Sequence, residues 1–205
     1  MAAGREHGES RRSVRTTPEE EASALPGDEL IARPIGSLQH AITIRRPPCE
    51  VWPWLAQMGA GNRAGWYSYD ALDNGGRPSA VRIVPELQRI TVGTVFPALP
   101  GVTDAFTVLA LEPPRSLILG WSNRDGTPHM TWAFVLKEHP THSTRLIVRA
   151  RASQSYRFHG LPRWLSAPVI RIVHFVMQRR QLLGIARRVE SSCPPCETAS
   201  HSSQM

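Results

Sequence analysis

The sequence predicts an α+β protein, a curved antiparallel sheet closed around one long C-terminal helix. Three observations carry this. The run Leu161–Glu190, LPRWLSAPVIRIVHFVMQRRQLLGIARRVE, is the only stretch long enough for a helix of more than about five turns. Several strand candidates precede it, separated by hairpin-length gaps, which favours an antiparallel meander. One strand and two short helices come first, and a run of strands followed by a helix belongs to the α+β class.

Taken in order, residues 1–34 are polar and of mixed charge, and their composition predicts a disordered leader. Leu38, His40, Ile42 and Ile44 alternate with polar or small residues, so Ile35–Ile44 is a first strand, stopped by Arg45-Arg46-Pro47-Pro48. Cys49–Met58 is a short helix with Val51, Leu55 and Met58 on one face. Pro53 is tolerable there only in the first turn, where its missing N–H has no partner to lose. Gly59–Gly65 (GAGNRAG) is a loop. Its GxGxxxG spacing and the helix before it do not fit a dinucleotide fingerprint.

The aromatic cluster Trp66–Asp73 (WYSYDALD) is a second short helix ended by Asn74-Gly75-Gly76. Arg82–Glu86 and Leu87–Phe96 follow, with a turn at Val92-Gly93-Thr94. Strands are then predicted at Asp104–Leu111, Ser116–Ser122, Met130–Glu138 and Ser143–Ala152. In the terminal helix Leu165, Val169, Ile172, Val176 and Leu183 form one apolar stripe. Ile170, His174, Met177, Gln181 and Ile185 form a mixed stripe on the far side. Residues 191–205 read as a disordered tail.

Length allows one domain with tails, and a hydrophobic fraction of 41% supports a sizeable core. The formal charge is +7, nearly all of it from arginine, since Lys137 is the sole lysine. Those arginines are spread along the chain, which argues against a dedicated nucleic-acid surface. The first twenty residues carry several glutamates and no apolar core, unlike a secretory signal. The longest apolar run, Trp164–Met177, is interrupted by Arg171 and His174 and is too short to span a bilayer. A soluble, cytoplasmic protein is expected. Three cysteines make no disulfide framework. Cys193-Pro-Pro-Cys196 has redox spacing, but it follows a helix where a working dithiol opens one. A zinc site would need a second pair. No metal and no cofactor are expected.

The string VWPWLAQMGAGNRAGWYSYDALDN, followed by RIVPELQRITVGTVFP, LEPPRSLILGW, TWAFVL, TRLIVRAR and HFVMQRRQLLGIARRVE, resembles one branch of the START-like, SRPBCC superfamily, often labelled polyketide cyclase/dehydrase-like. The resemblance covers roughly residues 36–190 and sets the domain at 35–190. It implies a helix-grip fold, with six or seven strands around the C-terminal helix and an internal hydrophobic pocket. Members of that superfamily bind lipids, sterols, polyketides or plant hormones, and some catalyse. Fold does not by itself give chemistry.

HExxH, GxSxG and P-loop motifs are absent from the sequence. The candidates are polar and aromatic groups that a pocket would gather. Trp66, Tyr67, Tyr69 and Asp70 are the densest set, with Tyr67 and Asp70 on one helical face; the alternative is that the rings cap the sheet and Asp70 pairs with an arginine. Trp132 and Phe134 share one strand face and Trp121 another, as core or as pocket lining. Arg149, if it faces inward, holds a ligand carboxylate or pairs with Asp70; facing outward, it is surface charge. His174 is a core histidine or an acid–base group. Met177 lies on its face, and Tyr156 and His159 stand where a pocket mouth would be.

Three functions follow. The first is binding of a small hydrophobic ligand, lipid- or polyketide-like, as carrier or sensor. The second is an aromatase/cyclase acting on a polyketide-like chain through Tyr67, Asp70 and Arg149. The third is attachment to nucleic acid or an anionic membrane through Arg179, Arg180, Arg187 and Arg188, against which stands a solvated helix end.

Overall fold

The computed structural model describes residues 12–101, 105–122, 126–154 and 163–192, with the side chains of the last helix described from residue 171. Helix α1 (Pro18–Ala22) and a 3₁₀ turn (Asp28–Ile31) precede strand β1 (Gly36–Ile44). Helices α2 (Pro48–Ala56) and α3 (Asp70–Asp73) follow, then a second 3₁₀ turn at Pro85–Leu87. Next come β2 (Val95–Pro97), β3 (Ala105–Glu112), β4 (Ser116–Ser122), β5 (Pro128–His139), β6 (Ser143–Ala152) and helix α4 (Arg163–Ser191). Among the described residues the six strands form one sheet in the order β1-β6-β5-β4-β3-β2, with every pairing antiparallel. The meander runs from β2 to β6, and the first strand joins its far side. This is the α+β helix-grip arrangement.

Period-2 alternation decides the two faces of the sheet. Ile42 and Ile44 of β1, Leu117 and Leu119 of β4, Phe134 and Leu136 of β5, and Leu146 and Val148 of β6 share the inner face. Against them pack Val51, Trp54 and Leu55 of α2 and Leu182, Ile185, Ala186 and Val189 of α4. Pro53 lies inside α2 in its second turn, not in the first turn where it was expected. Burial of Val51, Trp54 and Leu55 outweighs the hydrogen bond that proline forfeits.

The outer face is not bare. Residues 1–34 are expected to be disordered, yet from α1 to the 3₁₀ turn the chain lies folded on it as an arm, while Val14 just before packs with the inner core. Thr17 and Glu20 form a reciprocal capping box at the start of α1. Leu25 inserts against Ala41, Val135 and Ile147 in a second, smaller core. Gly27 has φ 89° and lies so close to Ile118 that a Cβ there would meet its side chain at 2.8 Å, so glycine is required twice over. Ion pairs fasten the arm: Glu20 to Arg145, Asp28 to Arg149 and Arg151, and Arg12 to Glu190 of α4. Composition missed this because every cation that holds the arm's carboxylates comes from more than a hundred residues away.

The apolar stripe of α4 also needs correction. Ile172 is 66% exposed and Val176 is exposed as well. The buried residues are Gln178, Gln181, Leu182, Ile185, Ala186 and Val189, so the mixed stripe is the one that meets the sheet. Its glutamines are buried because they satisfy each other, Gln178 Nε2 donating to Gln181 Oε1 at 2.8 Å.

Candidate functional site

Between the inner face of the sheet and α4 lies a cavity of about 160 Å³. Trp66, Phe106 and Trp132 wall it with ring centroids 5.4–5.8 Å apart. Ala98 and Met177 add apolar surface, and Ser68, Asp73, His174, Gln178 and Gln181 supply the polar tips.

Each wall is fixed by a partner. The Trp66 indole N–H donates to the Ala98 carbonyl at 3.1 Å, tying the segment before α3 to the strand end. The Trp132 indole N–H donates to Gln178 Oε1 at 3.0 Å, locking β5 to α4. Gln178 passes the chain to Gln181, whose Nε2 reaches Met58 Sδ at 3.7 Å. Ser68 Oγ donates to the Met177 carbonyl at 3.2 Å. The indole and amide groups are thereby spoken for within the protein.

Two groups on the wall each keep one atom without a partner, although Ser68 and the Tyr69 and Asp73 backbone hydrogen bond to the Asp73 carboxyl group. Asp73 is 6% exposed and its Oδ1 has no hydrogen-bond partner. Burial, and then the neighbouring Asp70 carboxylate, push its pKa up to about 6. The Nδ1 of His174 is likewise without a partner. Burial and the nearby His40 push that imidazole down to about 4, so it is neutral at physiological pH. His40 stands behind it on β1, ring centroids 5.7 Å apart, itself held low by burial.

Asp73 therefore weakens the fold in a pH-dependent way. Its ordinary value is 3.8 and its folded value about 6, so the folded state retains a proton that the unfolded chain has released. Stability falls as pH rises through that window, and the cost is full above it. Asp73→Asn is expected to raise the melting temperature at pH 7.5, with the gain vanishing toward pH 4. Thermal melts of both proteins across that range check this. A pH-independent difference would contradict the buried carboxylate.

Of the residues picked from the sequence, Trp66, Trp132, His174 and Met177 line the cavity. Phe134 and Trp121 stand one ring further out, Phe134 against Trp132 and Trp121 against Phe106. The others are elsewhere. Trp66–Asp73 is not a helix over its length; only Asp70–Asp73 is, because Tyr67 sits at φ 61°. Tyr67 and Asp70 therefore share no helical face. The Tyr67 hydroxyl is buried, accepting from Gln57 Nε2 at 2.9 Å and donating to the Trp54 carbonyl at 3.2 Å, and burial pushes its pKa well above the ordinary tyrosine range. Asp70 accepts from the backbone N–H and hydroxyl of Ser79. Tyr69 is exposed, with the Arg180 guanidinium 5.7 Å from its ring centre.

Arg149 faces the outer side, yet it is only 5% exposed because the arm covers it. It meets Asp28 and not Asp70. The catalytic trio drawn from the sequence is thus not brought together. Arg188 turns inward, its Nε donating to the Ala80 carbonyl at 2.8 Å. Tyr156, His159, Cys193 and Cys196 lie outside the described residues.

Sequence reading missed Asp73, Phe106, Gln178 and Gln181. The glutamines are three apart on one helical face of an apolar segment, a signal that was present. Asp73 had none, since a carboxylate at a helix end is ordinarily solvated. A larger depression, about 590 Å³, runs along the free edge of β1 between Gln39, Arg149, Arg151, Arg171 and Phe175. Arg149 and Arg151 there are already committed to Asp28, and the depression is away from the aromatic walls.

No family model and no curated protein sequence matches the chain. Solved structures similar to it include a polyketide-cyclase-like protein of Corynebacterium glutamicum, at 14% identity over 75% of this chain and 91% of that one, TM-score 0.49. Another is a protein of Mesorhizobium loti, at 14% identity over 78% of this chain and 100% of that one, TM-score 0.46. CalU16 of Micromonospora echinospora is a third, at 18% identity over 76% of this chain and 88% of that one, TM-score 0.37. The fold is the α+β helix-grip arrangement, which rests on the order of the chain's own strands and its long closing helix. Among the described residues no helix is long and apolar enough to cross a membrane, and no cluster of His, Cys, Asp or Glu could hold a metal ion.

Proposed function

We propose that the protein binds a small hydrophobic molecule in the cavity between sheet and α4, as a carrier or sensor. The observation that carries this reading is an aromatic-walled cavity between the sheet and α4, lined by residues that keep unpartnered polar atoms. Interiors ordinarily leave few voids larger than a water molecule. A cavity of roughly 150 Å³ accepts a single aromatic ring, whereas drug-sized sites run to about 300 Å³ and more. The guest, or the part of it that enters, is therefore ring-sized. A long lipid or an extended polyketide would have to widen the site.

Toluene and indole, titrated into the full chain, are expected to raise the melting temperature and to change the emission of Trp66 and Trp132. A ligand at a hundred times its Kd stabilises by about 2.7 kcal/mol. Substituting Ala98 with Phe fills the void and abolishes both responses. If neither probe shifts the melting curve or the emission of the unsubstituted protein, the cavity is not a binding site.

A further inference from the structure

We propose that the guest is a protonated amine on a small apolar body, with the Asp73 carboxylate as its counter-ion; this rests on the cavity reading above and names the class of molecule it takes. A buried carboxylate is ordinarily paired with a cation of the protein. Asp73 is 6% exposed, and among the described residues no ion pair reaches it. The charge that acts on it is Asp70, of the same sign. Arg188 acts on Asp70 and Tyr67 and hydrogen bonds to the Ala80 carbonyl.

The cavity's other titratable group cannot supply the missing charge. His174 is held neutral, with its own neighbour His40 also pushed toward the neutral form. A neutral imidazole whose Nδ1 has no partner offers a guest a lone pair there in its Nε2–H tautomer. The remaining polar tips are engaged: Ser68 with the Met177 carbonyl and the Asp73 carboxyl group, Gln178 with Trp132 and Gln181.

The walls point the same way. Trp66, Phe106 and Trp132 enclose the void, and the negative face of an aromatic ring attracts a cation within about 6 Å of its centre. The same rings receive an apolar body. An ammonium N–H donated to Asp73 Oδ1 would satisfy the one buried carboxylate oxygen on the wall that lacks a partner.

Benzylamine, benzyl alcohol and toluene are matched single-ring probes that differ in the charged donor. Calorimetric titration of the full chain at pH 7.5 is expected to give benzylamine at least a tenfold lower Kd than benzyl alcohol. That preference fades below about pH 6 as Asp73 takes up its proton. Asp73→Asn erases it while toluene still binds, which also shows that the variant is folded. Benzylamine binding no tighter than benzyl alcohol, or a preference that survives Asp73→Asn, overturns the amine assignment and leaves the cavity reading standing. No binding of any of the three overturns both.

Discussion

Arg149→Met is expected to destabilise the protein by about 3–5 kcal/mol, the range seen when one partner of a buried ion pair is removed. All three guanidinium nitrogens donate: Nε to Gln39 Oε1, Nη1 to Asp28 Oδ2, and Nη2 to the Ser23 carbonyl at 2.9 Å and more distantly to those of Glu20 and Glu21. Methionine of similar length would leave Asp28 with Arg151 as its ion-pair partner and take the guanidinium donor from the Glu21 and Ser23 carbonyls. Urea unfolding midpoints check this, and a chain of this size should lose roughly 6–20 °C in melting temperature. Toluene binding measured well below the new melting temperature should be unchanged, since the cavity is on the other face of the sheet. A loss under about 1 kcal/mol would mean that the arm does not dock in solution.

Gly184→Ala is the second large effect, and its sign is diagnostic. Helix propensity alone favours alanine by about 1 kcal/mol. A Cβ at Gly184, however, would lie 2.1 Å from the Tyr67 carbonyl oxygen, a backbone atom that cannot rotate aside. Either α4 retreats or the Trp66–Ser68 segment shifts, and overpacking of that kind costs about 1–3 kcal/mol. The two elements that would move carry Trp66, Ser68, Met177 and Gln178 of the cavity wall. Lower stability together with weakened toluene binding is the expected result. A more stable protein would show that α4 is not seated against that segment.

Much of the scaffold was legible because strands announce themselves locally. Ser116–Ser122 and Ser143–Ala152 were read to the residue, since alternation and flanking turns fix both ends. Other features are properties of contacts that local pattern cannot carry. Parity placed Arg149 opposite Val148, but it could not say that the outward face would itself be covered. The left-handed backbone of Tyr67, which breaks the expected helix, falls on a residue type that rarely adopts it. For α4 the hydrophobic stripe named the wrong side. Two glutamines that look like surface residues are buried as a bonded pair, while Ile172, Val173, Phe175 and Val176 stay exposed. At the site, four of the wall residues were visible as aromatics and helix positions. Asp73 was not, because its meaning depends on what fails to approach it.

The arm also has a consequence for the order in which the molecule assembles. Its first described residue meets a glutamate 178 positions later, and its carboxylates await arginines more than 120 positions downstream. During synthesis from the N-terminus the arm emerges early and meets none of its ion-pair partners until the last strand and the closing helix have been made. Contacts of such separation are entropically slow to form. Docking of the arm should therefore be a late event in folding, and the outer face of the sheet spends the interval uncovered.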